Sequence, residues 1–389
     1  MITRRHFFFG SLALPAFAAK KPAAAPPNLL LLAPDNLPAW IVGSYGNQEV
    51  KTPHLDMLSK TGTRFLNHSV CAPEPGPGRA TLVSGRTPMQ LHDADRLPPG
   101  EAGLEKLLSG MGYETFEAEA GTAPQFLDQQ SAAKPFFLQV KCSYLQPPYE
   151  GVAAKYHQAY AATKFDTFSP DRSSPNASRN KDLLANPIAS LRKYAAAVTA
   201  FDDEAGVLLS RLQSRGLLEN TLVVFTGTCG NLAMHHGLWG AADASEPRNM
   251  YQESVATPLI WSWLGHVPAG VTRPEQVSAY DLVPSMCEIL SSNLPSANLC
   301  GRSYLPLATG KPLPKKQPWR ITVFAADHTT YMARVERYKL VERNPGPGEL
   351  YDLVADPTER QNQYDNAQFV NIRQELAGGL ASWKQRYSG

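Results

Sequence analysis

The sequence is poor in cysteine and carries almost no net charge. Its 389 residues include five cysteines, too few for a disulfide scaffold, and the odd number leaves at least one thiol unpaired within the chain. Cys287 and Cys300 are close enough in sequence to form a disulfide bond, although spacing alone does not establish one. Lysine and arginine number 37 against 35 acidic residues, a formal net charge of +2. Because nucleic-acid binding requires a concentrated basic surface, this balance argues against nucleic acid as a partner.

A membrane-spanning segment is also missing, unless an N-terminal signal is retained as an anchor. The apolar run over 7–18 follows Arg4 and Arg5 and is too short to span a bilayer comfortably. Small residues at Ala16 and Ala18 suit signal cleavage. The paired arginines resemble a twin-arginine export signal, with an ordinary secretory signal as the alternative. We therefore expect residues 1–27 to be an export signal and linker, and the protein to be periplasmic or extracellular.

Strand and helix patterns alternate along the central part of the chain. Apolar runs at 29–33, 221–226 and 259–261 are typical of strands buried on both faces. Apolar residues recur at helical spacing over 188–214. This alternation predicts an α/β domain over 28–312, with a mostly parallel sheet covered by helices on both faces.

The pattern changes in the last part of the chain. Short strand candidates at 321–324, 332–335 and 338–341 are separated by turns and followed by a helix over 366–385. We therefore expect residues 313–389 to form a small antiparallel α+β subdomain.

Several motifs, taken in order, are similar to those of the sulfatase branch of the alkaline-phosphatase-like superfamily. The stretches that carry the resemblance include Asp35-Asn36, residues 51–56, residues 79–86, residues 236–240 and residues 356–359. The resemblance implies an α/β/α sandwich with a pocket at the carboxyl edge of the sheet, where loops converge. It also implies the hydrolysis of sulfate esters by a cysteine-derived formylglycine, with a divalent cation, usually calcium, and Lys and His side chains.

The nucleophile of that chemistry has no counterpart here. Family members place the modified Cys four residues before the arginine of the signature, and counting back from Arg79 gives Pro75. Proline has no side chain that can be oxidised to an aldehyde or attack sulfur. Cys71 is an alternative, but its use would shift a stretch that otherwise aligns without gaps. The resemblance therefore assigns no catalytic residue.

The metal ligands that the resemblance implies are also reduced. Asp35 matches the first ligand, and Asn36 stands where a second Asp is common. The Asp-His or Asp-Asn pair that the family shows after its late strand is replaced by Thr228 and Cys229. Because calcium prefers roughly six to eight oxygen ligands, several of them carboxylate, we expect Asp35 and Asn36 to be vestigial ligands. No cofactor is expected, and calcium is the expected ion if the site proves functional.

The groups that clamp the sulfate in the family are mostly replaced as well. Gln146 occupies the position of a histidine in the family, and Ala241 occupies the position of a lysine. Arg79 and His236 match the family pattern, and an arginine can bind a carboxylate or sulfate through two hydrogen bonds. We expect Arg79, Gln146 and His236 to be the residues that contact a ligand.

Two further pairs of residues invite a functional interpretation. Asp327-His328 resembles a metal-binding pair, but its position after a predicted strand favours a turn. Glu117 and Glu119 are spaced to face one side of a strand, as an acid–base pair or as solvated edge residues. We favour the structural interpretation for both pairs.

Two functions from different classes remain open. The first is an exported sulfatase-family protein that is catalytically inactive and binds a sulfated glycan or another anionic small molecule. The alternative is an active sulfuric-ester or other ester hydrolase with a rewired site, using Thr228 or Cys229 as the nucleophile. A third possibility is a purely structural role as a partner subunit, and no feature of the sequence distinguishes this role from that of an inactive binding protein.

Overall fold

A computed structural model describes residues 25–98, 101, 103–166, 168, 171–313 and 318–388 of the chain. The predicted export signal, from residue 1 to residue 24, lies outside the described residues. Within the described part, no helix has the length and apolar character needed to cross a membrane.

A seven-stranded sheet forms the centre of the larger unit. Its strands are β1 (Asn28–Leu32), β2 (Thr63–Ser69), β3 (Glu114–Glu119), β4 (Phe136–Lys141), β5 (Thr221–Thr226), β6 (Leu259–Ser262) and β7 (Val271–Ser278). Their order across the sheet is β3-β4-β1-β5-β6-β2-β7. Only β6 pairs antiparallel with its neighbours. The predicted α/β class with a mostly parallel sheet is therefore confirmed.

The central strands are apolar on both faces because both faces are covered. Leu30 and Leu32 of β1 point into one hydrophobic core, whereas Leu29 and Leu31 point into the other. All four side chains are almost fully buried. This burial explains why β1 and β5 could be predicted from continuous apolar runs.

Helices and short connecting turns cover the two faces of this sheet. The helices of the larger unit are α1 (Pro53–Thr61), α2 (Pro75–Ser84), α3 (Leu104–Gly110), α4 (Ala123–Gln129), α5 (Ala154–Ala159), α6 (Lys181–Ala185), α7 (Pro187–Ser214), α8 (Gln252–Val255), α9 (Leu282–Ile289) and α10 (Leu305–Ala308). Helix α7 packs against α1, α4 and α5 on one face, and α2 packs against α3 and α9 on the other. The side chain of Asn186 caps α7 by accepting from the Ala189 amide at 3.3 Å.

The C-terminal unit is a four-stranded antiparallel sheet closed by one helix. Its strands are β8 (Val323–Asp327), β9 (Thr330–Arg334), β10 (Tyr338–Arg343) and β11 (Glu349–Asp352), in the order β11-β10-β9-β8, and helix α11 (Val370–Tyr387) packs on β9 and β10. The first strand begins two residues later than predicted, and Ile321 is 71% exposed. The final helix also begins later than predicted, because a 3-10 turn precedes it. The Asn366 side chain caps that turn by accepting a hydrogen bond from the backbone N–H of Gln368.

Buried polar contacts join the two units. Arg334 of β9 donates from Nη1 to Gln276 Oε1 of β7 at 2.7 Å. Lys339 of β10 is fully buried and donates to the Met250 carbonyl at 2.6 Å, and it forms an ion pair with Glu359. The C-terminal sheet is therefore anchored to the larger unit through charged side chains that have partners.

Candidate functional site

A cluster of polar side chains lies where three neighbouring strands end. Asp35 and Asn36 follow β1, Thr228 follows β5, and Gln146 follows β4 after a short 3-10 turn. Strands β4, β1 and β5 are adjacent and parallel, so their carboxyl ends meet at one edge of the sheet. This is the edge at which open α/β folds place their ligand sites.

Asp35 is the centre of this cluster, and both of its carboxylate oxygens accept hydrogen bonds. Arg79 Nη2 donates to Oδ2 at 2.6 Å, and Gln146 Nε2 donates to the same oxygen at 3.1 Å. The Thr228 hydroxyl donates to Oδ1. The Asp35 side chain is only 5% exposed, whereas that of Arg79 is 24% exposed. Asp35 is thus compensated by a guanidinium and two neutral donors of the same chain.

Asn36 and Cys229 form a second, closely packed contact beside Asp35. The backbone N–H of Asn36 donates to Cys229 Sγ at 3.3 Å, and the Tyr194 hydroxyl donates to the backbone carbonyl of Asn36 at 2.6 Å. Burial raises the pKa of the Cys229 thiol, and the nearby Asp35 charge contributes in the same direction. Thr228 and Cys229 are both almost fully buried. Neither side chain is therefore placed as an accessible nucleophile.

The residues around Asp35 do not fit a calcium ion. One carboxylate and one amide supply the oxygen ligands that the resemblance implied, whereas calcium prefers roughly six to eight oxygens with several carboxylates among them. Both oxygens of Asp35 already accept hydrogen bonds, and the guanidinium of Arg79 lies 2.6 Å from one of them. A second cation at this carboxylate would meet the Arg79 charge directly.

Helix α2, which carries Arg79, packs closely against the loop after β5. Pro75, at the position of the family nucleophile, is the first residue of α2. A Cβ atom at Gly78 would overlap the carbonyl oxygen of Thr228, so this position requires glycine. Cys71, which precedes the helix in the chain, is fully buried, and burial raises the pKa of its thiol, with Cys300 and Asp281 adding to the effect. The close packing brings Arg79 to Asp35 and leaves Cys71 inaccessible.

His236 lies in a different environment. Its ring stacks on Tyr251 with the centroids 3.5 Å apart, and its Nε2 lies 3.8 Å from Glu253 Oε2. Burial lowers the pKa of His236 to about 3, with Arg360 and Lys339 contributing in the same direction. The structure thus places His236 near the contact between the two units.

The predicted ligand residues are only partly brought together. Arg79 and Gln146 meet at Asp35, whereas no hydrogen bond, ion pair or ring contact joins His236 to these three residues among the described contacts. All five cysteines are free thiols, so no disulfide joins Cys287 to Cys300.

Other clusters in the described part of the chain contain residue types that could hold a metal ion. The three groups are His54 with Asp202 and Asp203, Glu74 with Asp327 and His328, and His236 with Glu253 and Glu359. Arg248 forms ion pairs with both Glu74 and Asp327 in the second group. Lys339 pairs with Glu359 in the third group. Asp35 and Asn36 belong to none of the three.

Two pairs interpreted as structural in the sequence have ordinary partners. Glu117 forms an ion pair with Lys141 at 2.6 Å, and Glu119 accepts from the Ser143 amide at 2.9 Å. Asp327 ends β8, and His328 follows it with a positive φ of 51° in the turn to β9.

Two features of the site were missed in the sequence. The helical spacing of α7 placed Tyr194 on a buried face, but gave no sign that its hydroxyl holds the backbone of Asn36. The ion pair between Glu74 and Arg248 joins residues far apart in the chain, and no local pattern marks it.

Comparison with protein-family models identifies two matching regions. The model described as "Sulfatase" matches residues 27–122 and 117–292, and the one described as "N-sulphoglucosamine sulphohydrolase, C-terminal" matches residues 239–386. The first match alone covers more than half of the chain.

Curated relatives and solved structures agree with the family models. The ulvan-active sulfatase of Formosa agariphila is 26% identical over 422 residues, covering 91% of this chain and 80% of the relative. The Delta 4,5-hexuronate-2-O-sulfatase of Bacteroides thetaiotaomicron is 26% identical over 445 residues, covering 94% and 89%. The phosphonate monoester hydrolase of Agrobacterium radiobacter has the same fold, with a TM-score of 0.78, 19% identity, and coverage of 93% and 96%.

Proposed function

The chain belongs to the sulfatase family, and on that premise we propose that it is an exported member that no longer hydrolyses sulfate esters and instead binds an anionic ligand such as a sulfated glycan. The observation that carries the loss of catalysis is the state of Asp35, whose carboxylate oxygens are bound by Arg79, Gln146 and Thr228. These contacts occupy the oxygens that a catalytic cation would need.

The substitution at the nucleophile position supports the same proposal. Pro75 offers no group for covalent catalysis, and loss of a nucleophile alone costs on the order of 10⁶ in rate in a preorganised site. Without the cation, the electrostatic stabilisation of the transition state is lost as well. The two losses together leave Arg79 as the main group of the site able to bind an anion.

Export and the ligand class rest on separate arguments. The paired arginines and the short apolar run over 7–18 are typical of an export signal. Two of the relatives are named for their action on ulvan and on a hexuronate 2-O-sulfate, which favours a sulfated or otherwise acidic saccharide as the ligand of this chain.

Elemental analysis of the purified protein, combined with an aryl-sulfate turnover assay on the same sample, tests the loss of catalysis. We expect no stoichiometric calcium and no turnover above the uncatalysed rate. Stoichiometric calcium with turnover would overturn the proposal. Turnover without a metal that disappears in Thr228→Ala or Cys229→Ala would establish the rewired hydrolase instead.

A panel of sulfated oligosaccharides tests the binding role. We expect measurable affinity that is lost in Arg79→Ala, with Arg192→Ala, a substitution on α7, as the control. Absence of binding across the panel would contradict the proposed ligand class.

A further inference from the structure

A histidine and two glutamates meet where the C-terminal unit contacts the larger one. His236 lies in a 3-10 turn between β5 and α8, Glu253 is on α8, and Glu359 follows β11. One nitrogen or oxygen atom of each side chain lies within 4.8 Å of the other two. His236 Nε2 and Glu253 Oε2 are 3.8 Å apart. The cluster thus joins two side chains of the larger unit to one of the C-terminal unit.

Each of these three side chains has a buried atom without a hydrogen bond. The atoms are His236 Nε2, Glu253 Oε2 and Glu359 Oε1, and none has a hydrogen-bond partner among the described residues. The His236 side chain is only 8% exposed, and that of Glu359 is 1% exposed. Buried polar atoms normally have partners, because an unmade hydrogen bond costs free energy. Three such atoms in one cluster indicate a bound group that they share.

Lys339 accounts for only part of this cluster. Its ammonium group forms an ion pair with Glu359, but among the described contacts no ion pair joins it to Glu253. The same ammonium group donates to the Met250 carbonyl at 2.6 Å and to Gln252 Oε1 at 3.3 Å. Lys339 therefore keeps two acceptors when Glu359 Oε1 turns to another cation.

The other two clusters of metal-binding residue types already have their partners. Arg248 forms ion pairs with both Glu74 and Asp327, so it supplies the positive charge of that cluster. Both carboxylate oxygens of Asp202 accept backbone N–H groups at the start of α1. Neither cluster contains a buried side-chain atom without a hydrogen-bond partner in the described part of the chain. Only the cluster around His236 combines the three ligand types with unmade bonds.

We propose that His236, Glu253 and Glu359 bind a zinc ion that fastens the C-terminal unit to the larger unit. Zinc binds imidazole nitrogen and carboxylate oxygen at about 2.0–2.2 Å, with four ligands in a tetrahedron. The ligands of such an ion lie about 3.4 Å from one another, so the 3.8 Å separation of His236 Nε2 and Glu253 Oε2 needs only a small closure. A water molecule would be the fourth ligand. Calcium fits poorly, because it prefers roughly six to eight oxygens.

Neighbouring groups already orient two of the three ligands. The His236 ring stacks on Tyr251 with the centroids 3.5 Å apart and the planes 9° from parallel. The backbone N–H of Gln252 donates to Glu359 Oε2 at 2.7 Å, which leaves Oε1 for the ion. Metal ligands in proteins usually have such outer contacts, which fix the direction of the binding atom.

The zinc site goes beyond the proposed function and does not depend on it. It shares no residue with the cluster of Asp35, Arg79 and Gln146. Aryl-sulfate turnover would overturn the proposed loss of catalysis and leave the zinc site untouched. Absence of zinc binding would leave the proposed loss of catalysis untouched.

Titration of the full chain with zinc chloride tests the proposal. The protein is first treated with EDTA and dialysed, and binding is then measured near neutral pH in competition with a chromogenic zinc indicator. We expect one zinc ion per chain with a dissociation constant at or below about 1 µM. Zinc should also raise the thermal midpoint, since it binds the folded state, whereas the same concentration of calcium should not.

The decisive variants are His236→Gln and Glu253→Gln, each of which removes one ligand. We expect each to weaken zinc binding by about a hundredfold or more, because loss of even an outer partner of a metal ligand costs roughly tenfold to a hundredfold. The rise of the thermal midpoint with zinc should disappear in both. His266→Gln and Glu288→Gln, at exposed positions, are the matched controls and should bind zinc as the wild type does.

A further variant guards against a failure of the glutamine variants to fold. Glu253→Asp keeps the charge and shortens the side chain by one methylene group, so it should fold and still bind zinc more weakly than the wild type. Lack of zinc binding by the wild type at about 100 µM would overturn the proposal. Zinc binding of wild-type affinity in the folded variants of His236 and Glu253 would overturn it as well, since the ion would then lie elsewhere.

Discussion

Arg79 donates from Nη2 to Oδ2 of Asp35 at 2.6 Å, although the two residues are 44 positions apart in the chain. In the family resemblance, Asp35 is a metal ligand and Arg79 belongs to the signature that follows the nucleophile. Here the arginine binds the carboxylate directly, and the site is neutralised from within the chain. The following predictions test the consequences of this arrangement and of other buried groups.

The Arg79–Asp35 pair should contribute to stability. Arg79→Met leaves the Asp35 carboxylate nearly buried with only the neutral donors Gln146 and Thr228, so we expect the free energy of unfolding to fall by about 3 kcal/mol, as for other disrupted buried pairs. Asp35→Asn removes the charge and keeps the shape. In a urea-denaturation double-mutant cycle, the double variant should lose less stability than the sum of the two single variants, by about 1–2 kcal/mol. Additive losses would show that the two side chains are not coupled.

Calcium should not stabilise the protein. A ligand that binds the folded state stabilises it by about 2.7 kcal/mol at a hundred times its dissociation constant. Since Asp35 is already bound by Arg79, we expect the thermal midpoint to be unchanged between millimolar calcium and EDTA. A midpoint raised by calcium in the wild type but not in Asp35→Asn would place the ion at this carboxylate and contradict the prediction.

Cys229 should be unreactive in the folded protein. Its thiol is fully buried, and burial raises its pKa, so the nucleophilic thiolate is scarce near neutral pH. Labelling with iodoacetamide at pH 8, followed by mass-spectrometric mapping, should modify Cys229 only after unfolding in urea. Rapid labelling of Cys229 in the native protein would instead favour a nucleophilic role for this residue.

Asp202 should make stability depend on pH. Its carboxylate accepts from the His54 and Leu55 amides at the start of α1, and burial raises its pKa from 3.8 to about 6. Between these values the folded protein keeps a proton that the unfolded chain releases, so the free energy of unfolding decreases as pH rises. The decrease is at most about 3 kcal/mol across the window, since each pKa unit corresponds to about 1.4 kcal/mol.

For Asp202 the informative quantity is the slope of the free energy of unfolding against pH. Its absolute value is less informative, because substitution also alters the contacts at α1. Asp202→Asn should flatten the decrease in stability between about pH 4 and pH 6, in urea denaturation at a series of pH values. Asp182→Asn, at an exposed position of α6, should leave the slope as in the wild type. An unchanged slope in Asp202→Asn would assign the pH dependence to other groups.

The central strands could be predicted because their burial on both faces appears directly in the sequence. Strand β5 has the predicted bounds, and β1 begins and ends one residue earlier than predicted. The antiparallel direction of β6 could not be predicted, since an apolar run of three residues carries no information on direction. Strand β7 was missed because its first half is largely polar and partly exposed.

Helix α2 shows why the site was harder to predict than the fold. Its opening residues, Pro75 to Gly78, contain two prolines and two glycines, which favour a turn in a local interpretation. They can nevertheless begin a helix, because proline suits the first helical turn. The glycine at position 78 is explained by packing, because a Cβ atom there would overlap the Thr228 carbonyl oxygen. The resemblance identified the altered positions, but the direct bond between Arg79 and Asp35 depends on this packing and has no local signal.

Pro75 and the ion pair between Arg79 and Asp35 also bear on how the site matures. A chain whose site required an oxidised cysteine and a captured cation would remain incomplete after folding until an enzyme and an ion had acted on it. Pro75 requires no such modification, and Asp35 finds its counter-charge in Arg79 as the backbone folds. Under the proposed loss of catalysis, this site is complete once the chain has folded and does not depend on the supply of calcium.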